Sequence, residues 1–146
     1  MKLNIHSFNW EHFSSDKVFS VTLMTMMWEI TILDKHSPLL SAFKPSTMFL
    51  LYKDENNVTH RNDFALWAWF VEVKNSEVKI LTDMLIDVED QKDMDKDAIE
   101  LAKADAVALM EKYKYSKDKM DMEKFIEAED ALMKSIAQLK LYEIIK

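Results

Sequence analysis

The sequence predicts an all-β sandwich followed by an α-helical hairpin, and three observations carry that reading. Short apolar segments with period-two alternation recur through the first 86 or so residues, the pattern of half-buried strands. The composition then changes at Asp87–Asp97, which holds six acids and no aromatic residue. Beyond that run the apolar residues recur with a period of 3.6, the signature of amphipathic helices. These features divide the chain into a sandwich over residues 1–87 and an antiparallel two-helix hairpin over 88–146.

Each strand has its own pattern. Leu3 and Ile5 share one face of Lys2–Phe8, and Phe19, Val21 and Leu23 alternate with Ser20 and Thr22. Thr47–Tyr52 and Phe64–Val73 are apolar runs, and Val78, Ile80 and Thr82 alternate with Lys79 and Leu81. Repetition of short strands at such intervals favours a sandwich or barrel. Asp54–Asn57 and Lys74–Ser76 are the hairpin turns. The chain has no Gly and a single Arg, Arg61, so its tight turns must use Asn, Asp, Lys or Ser.

In the second half, Ile99, Ala102, Ala106, Leu109 and Tyr113 fall on one face of a first helix, with Asp93 and Asp95 as candidate caps. Ala102, Ala104, Ala106 and Ala108 thin that helix and permit close approach of a neighbour. A second helix begins near Asp121, with an apolar stripe of Phe125, Ala128, Leu132, Ile136 and Leu139. Asp87–Asp97 itself reads as a solvated linker leading into the first helix.

Composition excludes several function classes. The 146 residues are 49% hydrophobic and 31% charged, enough to bury a core. No Cys is present, which removes disulfides and thiolate metal sites. His6, His12, His36 and His60 lack metal-ligand spacing. The net charge of −7, with Lys interleaved among acids, lacks the basic stripe of a nucleic-acid binder. The longest apolar stretch, Val21–Leu33, contains Thr22, Thr25, Glu29 and Thr31 and is not a membrane span. Neither a Gly-rich phosphate loop nor a nucleophile signature occurs. The expectation is a cytoplasmic, non-catalytic protein with no cofactor, no metal and no membrane insertion.

Candidate partner-binding residues remain. Met26, Met27 and Trp28 form either an adhesive loop or the continuation of a strand. In Phe64–Phe70, Leu66, Ala68 and Phe70 share one face while Trp67 and Trp69 share the other. If the core takes the first face, both Trp side chains point outward, as in many interfaces; a fully buried strand reads the same way. His36, just before Ser37-Pro38, is a turn residue or a partner contact.

The segment His36-Ser37-Pro38-Leu39-Leu40-Ser41-Ala42-Phe43-Lys44-Pro45 resembles the H-A-P-L-L-T-A-I-K-P stretch of the F-type ATP synthase epsilon family, called delta in mitochondria. Phe13-Ser14-Ser15 is similar to that family's F-S-G. Val71-Glu72-Val73 with Val78-Lys79-Ile80-Leu81-Thr82-Asp83 is similar to its "E-V … V-x-V-L-A-D" strand pair, and Ala137-Gln138-Leu139-Lys140 stands where A-Q-L-R is common. The likeness runs over almost the whole chain. It implies a non-catalytic central-stalk subunit of a rotary F-type or F-type-like ATPase. Such a subunit binds the rotating, gamma-like shaft below the catalytic head, close to a membrane rotor ring, and can modulate ATPase activity. It would be peripheral to the cell membrane as part of that complex. On this resemblance Met26, Met27, Trp28, His36, Leu39, Leu40, Trp67, Trp69, Phe125, Leu132, Ile136 and Leu139 are the candidate partner contacts.

The departures are specific. Ser15, Trp28, Thr31, Lys35, Ser46, Ala68, Trp69 and Ser76 fill family Gly positions. The family's polar, Gly-rich loop facing the rotor ring is Met24-Thr25-Met26-Met27-Trp28 here. These changes imply a divergent member, for example in an F-type-like motor of a small-genome bacterium. The alternative reading of the residues is a free-standing β-sandwich adaptor unrelated to ATPases; neighbouring genes separate the two. Some bacterial members bind ATP through D-x-x-R-A, but Asp95-Lys96-Asp97-Ala98-Ile99 lacks the Arg, and its acids repel phosphate. The isolated chain is therefore expected to hydrolyse no nucleotide and to bind ATP poorly; micromolar ATP binding in a calorimetric titration contradicts this.

Overall fold

The computed structural model describes residues 1–145, without the side chains of Glu89 and Ile145. Among them eight strands precede three helices: β1 (Lys2–His6), β2 (Glu11–Ser15), β3 (Val18–Met24), β4 (Glu29–Leu33), β5 (Leu39–Phe43), β6 (Ser46–Lys53), β7 (Thr59–Lys74), β8 (Glu77–Asp87), α1 (Val88–Lys92), α2 (Lys96–Tyr113) and α3 (Lys119–Ile145). The strands are hydrogen-bonded in the order β2-β1-β8-β7-β6-β3-β4, with β5 added to β7. All pairs are antiparallel except β1 with β8.

The ladder folds over on itself because β7 serves both layers. Its first half pairs with β6, Ser46↔Leu66 to Lys53↔Thr59, and its second half pairs with β5, Leu39↔Val73 to Phe43↔Trp69. Between the layers lies one core, including Leu3, Ile5, Val21, Leu23, Ile32, Phe43, Leu50, Leu66, Val71, Val73, Val78 and Ile80, all nearly inaccessible. The sandwich thus buries the alternating residues the sequence marks, which is the main stabilising term of such a fold.

Phe64 and Leu66 point into this core, yet so do Val71 and Val73. The inward face changes parity between residues 66 and 71. The β7–β8 register stays constant from Phe64↔Asp87 to Lys74↔Glu77, except that Ala68 and Asp83 drop out of the ladder. A long two-stranded ribbon twists strongly, and here the twist carries β7 from one layer to the other. At the crossing, the buried Thr82 hydroxyl lies within hydrogen-bonding reach of the Trp67 and Met84 carbonyls.

Without glycine, non-Gly residues adopt left-handed backbone at Lys35, Asn57, Asn75 and Ser76. Asn75 and Ser76, both at positive φ, make the two-residue turn between β7 and β8, the type whose twist matches the ribbon. Asp54 organises the β6–β7 turn. Its carboxylate accepts from the Asn56 N–H (2.8 Å) and the Val58 N–H (2.9 Å), and pairs with His60 Nε2 at 2.8 Å. The His60 contact foremost holds the Asp54 carboxyl below its ordinary value.

The acidic run is not the solvated linker expected from composition. Asp87 caps α1 in a reciprocal box with Asp90, and Gln91 is fully buried. Asp87, Asp90, Asp93, Asp95 and Asp97 are exposed or half-exposed, but the segment carries a helical turn that docks on α3. Asp95, one of the two candidate caps, starts α2 by accepting from the Asp97 N–H. α3 begins at Lys119, two residues before Asp121, where Asp118 accepts from the Met120 N–H (2.8 Å). α3 lies against β6 and β7 through a small second core of Ala65, Ile86, Ala137 and Leu141. α2 packs on the far side of α3, with Ala106 and Ala128 buried where the two helices meet. Ala102, Ala104 and Ala108 remain exposed.

At the other end, the β1–β2 turn is closed by the Ser7 N–H to the Trp10 carbonyl (3.0 Å). Trp10 Nε1 donates to His12 Nδ1 (3.0 Å), so the His12 ring must be neutral at Nδ1. Its Nε2 is buried with no partner among the described residues. Burial of the ring foremost, and His6 nearby, hold His12 below 6.5.

Two outcomes follow from these local arrangements. Ser76→Gly relieves a left-handed penalty of about 1–2 kcal/mol, partly offset by glycine's chain entropy. It should therefore stabilise the protein by roughly 0.5–1 kcal/mol in denaturant titration. Below pH 6.5 the unfolded chain binds the His12 proton more readily than the folded one, so the stability from neutral His12 is full above that pH and is lost as pH falls through the depressed folded value. Thermal melts from pH 8 to pH 5 should show that loss, and His12→Gln should remove this part of the slope.

Candidate functional site

Strand alternation leaves one apolar strip on the solvent side of the layer formed by β5, the end of β7, β8 and β1. Val71, Val73, Val78 and Ile80 face inward, so Phe70, Glu72, Lys79 and Leu81 face out. The register joins these residues across strands: Ala42↔Phe70, Phe70↔Leu81, Leu40↔Glu72, Glu72↔Lys79 and His6↔Leu81. Together His6, Leu40, Phe70, Glu72, Lys79 and Leu81 line a shallow depression of about 310 Å³. Leu40 is 70% exposed. Beside the strip, the Phe8 ring, 71% exposed, stands edge-on to Trp69 at 5.5 Å, and Trp69 is 6.4 Å from Phe70. Contiguous exposed apolar surface of this kind marks interaction sites, whereas scattered apolar residues do not.

A second exposed feature stands next to it. β3 ends at Met24, so Met26, Met27 and Trp28 form a loop rather than more strand, with Met27 75% and Trp28 63% exposed. The buried Thr25 stiffens this loop. Its hydroxyl donates to the Trp28 carbonyl (2.8 Å) and accepts from the Met27 and Trp28 N–H groups (3.2 Å each). The Met26 N–H donates to the Ala42 carbonyl (3.2 Å), which joins the loop to β5 and to the apolar strip.

The other candidate residues are dispersed. His36 is half-buried, its Nδ1 2.7 Å from the Ser37 carbonyl oxygen, as expected of a turn residue. Leu39 packs partly on the core, whereas Leu40 points out. The two tryptophans do not share an environment. Trp69 is on the outside, but Trp67 is half-buried against the second core with Lys134 of α3 5.5 Å above its ring. The ribbon twist separates them. Phe125, Leu132, Ile136 and Leu139 are half-buried along α3, which is covered by strands on one side and by α2 on the other.

Sequence reading missed Phe8, Phe70 and Leu81. Phe70 was placed with Leu66 and Ala68 on one face, which holds only for a strand that keeps its parity. Phe8 lies at the end of a strand-like segment, and nothing in its spacing shows that it meets Trp69. Among the described residues no three His, Asp or Glu side chains are placed to hold a metal ion. An ion pair of Arg61 with Asp63 (2.9 Å) lies on β7, with the guanidinium 4.1 Å over Phe49. The Asp63 contact raises the Arg61 pKa above its already high value.

Comparison with known proteins agrees with this architecture. Comparison with the curated proteins gave no match. A chain of the Euglena gracilis mitochondrial ATP synthase, solved as OSCP/F1/c-ring in rotational state 1, superposes with a TM-score of 0.73 at 19% identity, covering 99% of this chain and 80% of that one. A chain of the Tetrahymena thermophila mitochondrial ATP synthase central stalk/c-ring superposes with a TM-score of 0.63 at 14% identity, covering 95% and 93%. At these identities the superpositions speak for the fold. The sequence itself matches the family described as ATP synthase, Delta/Epsilon chain, beta-sandwich domain, over residues 1–88. With that match spanning more than half of its length, the chain belongs to the ATP synthase delta/epsilon chain family.

Proposed function

We propose that the outer strip of Leu40, Phe70 and Leu81, with Trp69 and Phe8 at its margin, binds the rotating shaft subunit of a rotary ATP synthase or related motor. The observation that carries this reading is the contiguous exposure of Leu40, Phe70 and Trp69 on one face of the sandwich. Family membership supports such a complex, and the superposing chains come from ATP synthase assemblies with a central stalk, F1 and c-ring. The chain contributes packing and position and performs no chemistry itself. No described helix is long and apolar enough to cross a membrane; in this reading the subunit meets the membrane only through its complex.

The stiffened Met26–Trp28 loop extends the same surface and faces the membrane rotor ring in this reading, with His36 and Leu39 contributing at the β4–β5 connection. The sandwich of residues 1–87 carries assembly, and the helical part of residues 88–146 modulates ATPase activity through the α3 stripe of Phe125, Leu132, Ile136 and Leu139. The free-standing adaptor reading loses its ground once family membership is established.

Leu40→Ser with Phe70→Ser tests the strip. Both side chains face solvent, so the fold should survive. Loss of two interface anchors should weaken shaft binding by about 2 kcal/mol or more, roughly thirtyfold. Co-purification of the variant with the shaft and head subunits measures this, with circular dichroism as the folding control. Undiminished assembly removes the strip from the interface.

A further inference from the structure

A different concavity lies where the sandwich meets α3. It has a volume of about 310 Å³, with Met24, Glu29 and Lys44 on the sandwich side and Met133, Ile136 and Lys140 on the helix side. This volume is at the lower end of ligand-binding clefts. Lys44 lies between β5 and β6 and is half-buried; Lys140 is in the last third of α3. Neither ammonium has an ion-pair partner among the described residues, and neither does Glu29. Two cations and one anion leave this cleft with a net charge of about +1 in a protein of net charge −7. The uncharged lining is aliphatic and thioether except for Ser46 and Thr47, and it contains no aromatic residue.

We propose that this cleft binds a medium-chain aliphatic monocarboxylate, its head between Lys44 and Lys140 and its chain along Met24, Met133 and Ile136. The charge decides the head group: one surplus cation matches one carboxylate, and Glu29 opposes a polyphosphate. The floor decides the body. A planar base finds no ring to stack on, whereas unbranched methionines adapt to a flexible chain. The volume decides the length. At about 30 Å³ for each water-sized group, the cleft holds roughly ten heavy atoms, the size of octanoate. Its walls belong to the two parts of the chain, so the complete site exists only while α3 is docked on the sandwich. Occupancy therefore favours the docked arrangement by mass action. This site stands apart from the apolar strip and does not depend on the rotary reading.

The test uses the full chain labelled with 13C-methyl methionine and titrated with octanoate below its micelle concentration. The Met24 and Met133 methyl signals should shift saturably, and the thermal midpoint should rise. Lys44→Gln with Lys140→Gln should weaken octanoate by about tenfold or more, the value of a charge-assisted contact, and leave octan-1-ol binding unchanged. Glu29→Gln should tighten octanoate about threefold by removing the opposing charge. Octan-1-ol binding as tightly as octanoate to the native chain overturns the proposal, as does an octanoate affinity indifferent to the double substitution. Shifts confined to Met26 and Met27 also overturn it, because they place the ligand on the exposed loop. Should the double variant fail to fold, the Glu29→Gln arm decides alone: no tightening means no carboxylate site.

Discussion

The β7–β8 ribbon is the element on which the rest of the structure depends. One strand of 16 residues and one of 11 pair in a single register, and together they form part of both layers of the sandwich. A ribbon of that length twists strongly, so its inward face before the crossing is not its inward face after it. Both layers can then close on one core, and four consecutive residues of β7 at the crossing are left without a place inside it. Trp67 is covered by α3, whereas Trp69 and Phe70 stay outside. Packing of the core thus creates the apolar exterior by geometry. Thr82, fully buried with carbonyls from both strands at its hydroxyl, sits where the ladder skips a pair.

The helical part is attached on weaker terms. Its shared core with the sandwich is built from Ala65, Ile86, Ala137 and Leu141. Alanines allow close approach but contribute little apolar area. Polar contacts tie the helical part to itself rather than to the sandwich: the Tyr142 hydroxyl donates to the Met94 carbonyl, and Gln138 Nε2 lies 3.3 Å from Met94 Sδ. Gln91 is fully buried with neither side-chain oxygen nor nitrogen bonded among the described residues, an arrangement that lowers the stability of the docked state. The result is a well-filled sandwich beside a lightly held hairpin. α2 packs mainly on α3, and Leu101 and Leu109 remain exposed.

The absence of glycine has a structural consequence. Left-handed positions at Lys35, Asn57, Asn75 and Ser76 are occupied by side chains that cost about 1–2 kcal/mol each there, least for Asn. Their turns survive because the surrounding ladders over-determine them. Hydrogen bonds from side chains help: Asp54 organises the β6–β7 turn with two backbone donors, and Thr25 does the same for the Met26–Trp28 loop.

Periodicity was sufficient for the sandwich followed by helices, and residue type for the turns at Asp54–Asn57 and Lys74–Ser76 and for a cap at Asp93 or Asp95, of which the structure uses Asp95. Each is a local matter: alternation follows from the pleat, helical stripes from 3.6 residues per turn, and caps from a carboxylate one step before a free N–H. The order of motifs in His36–Pro45 and Val71–Asp83 was enough to point to the family. Tertiary structure decided the rest. Which face of β7 is interior cannot be read from Phe64–Phe70, because the parity reverses where the ribbon twists between layers. The acidic run could not reveal that Gln91 is buried, since that depends on α3 arriving from 40 residues later. Phe8 meets Trp69 across 61 residues of chain, and Lys44 shares a cleft with Lys140 only because α3 lies back on the sandwich. Local patterns specify elements; the sides those elements turn to water are set by contacts between residues far apart in sequence.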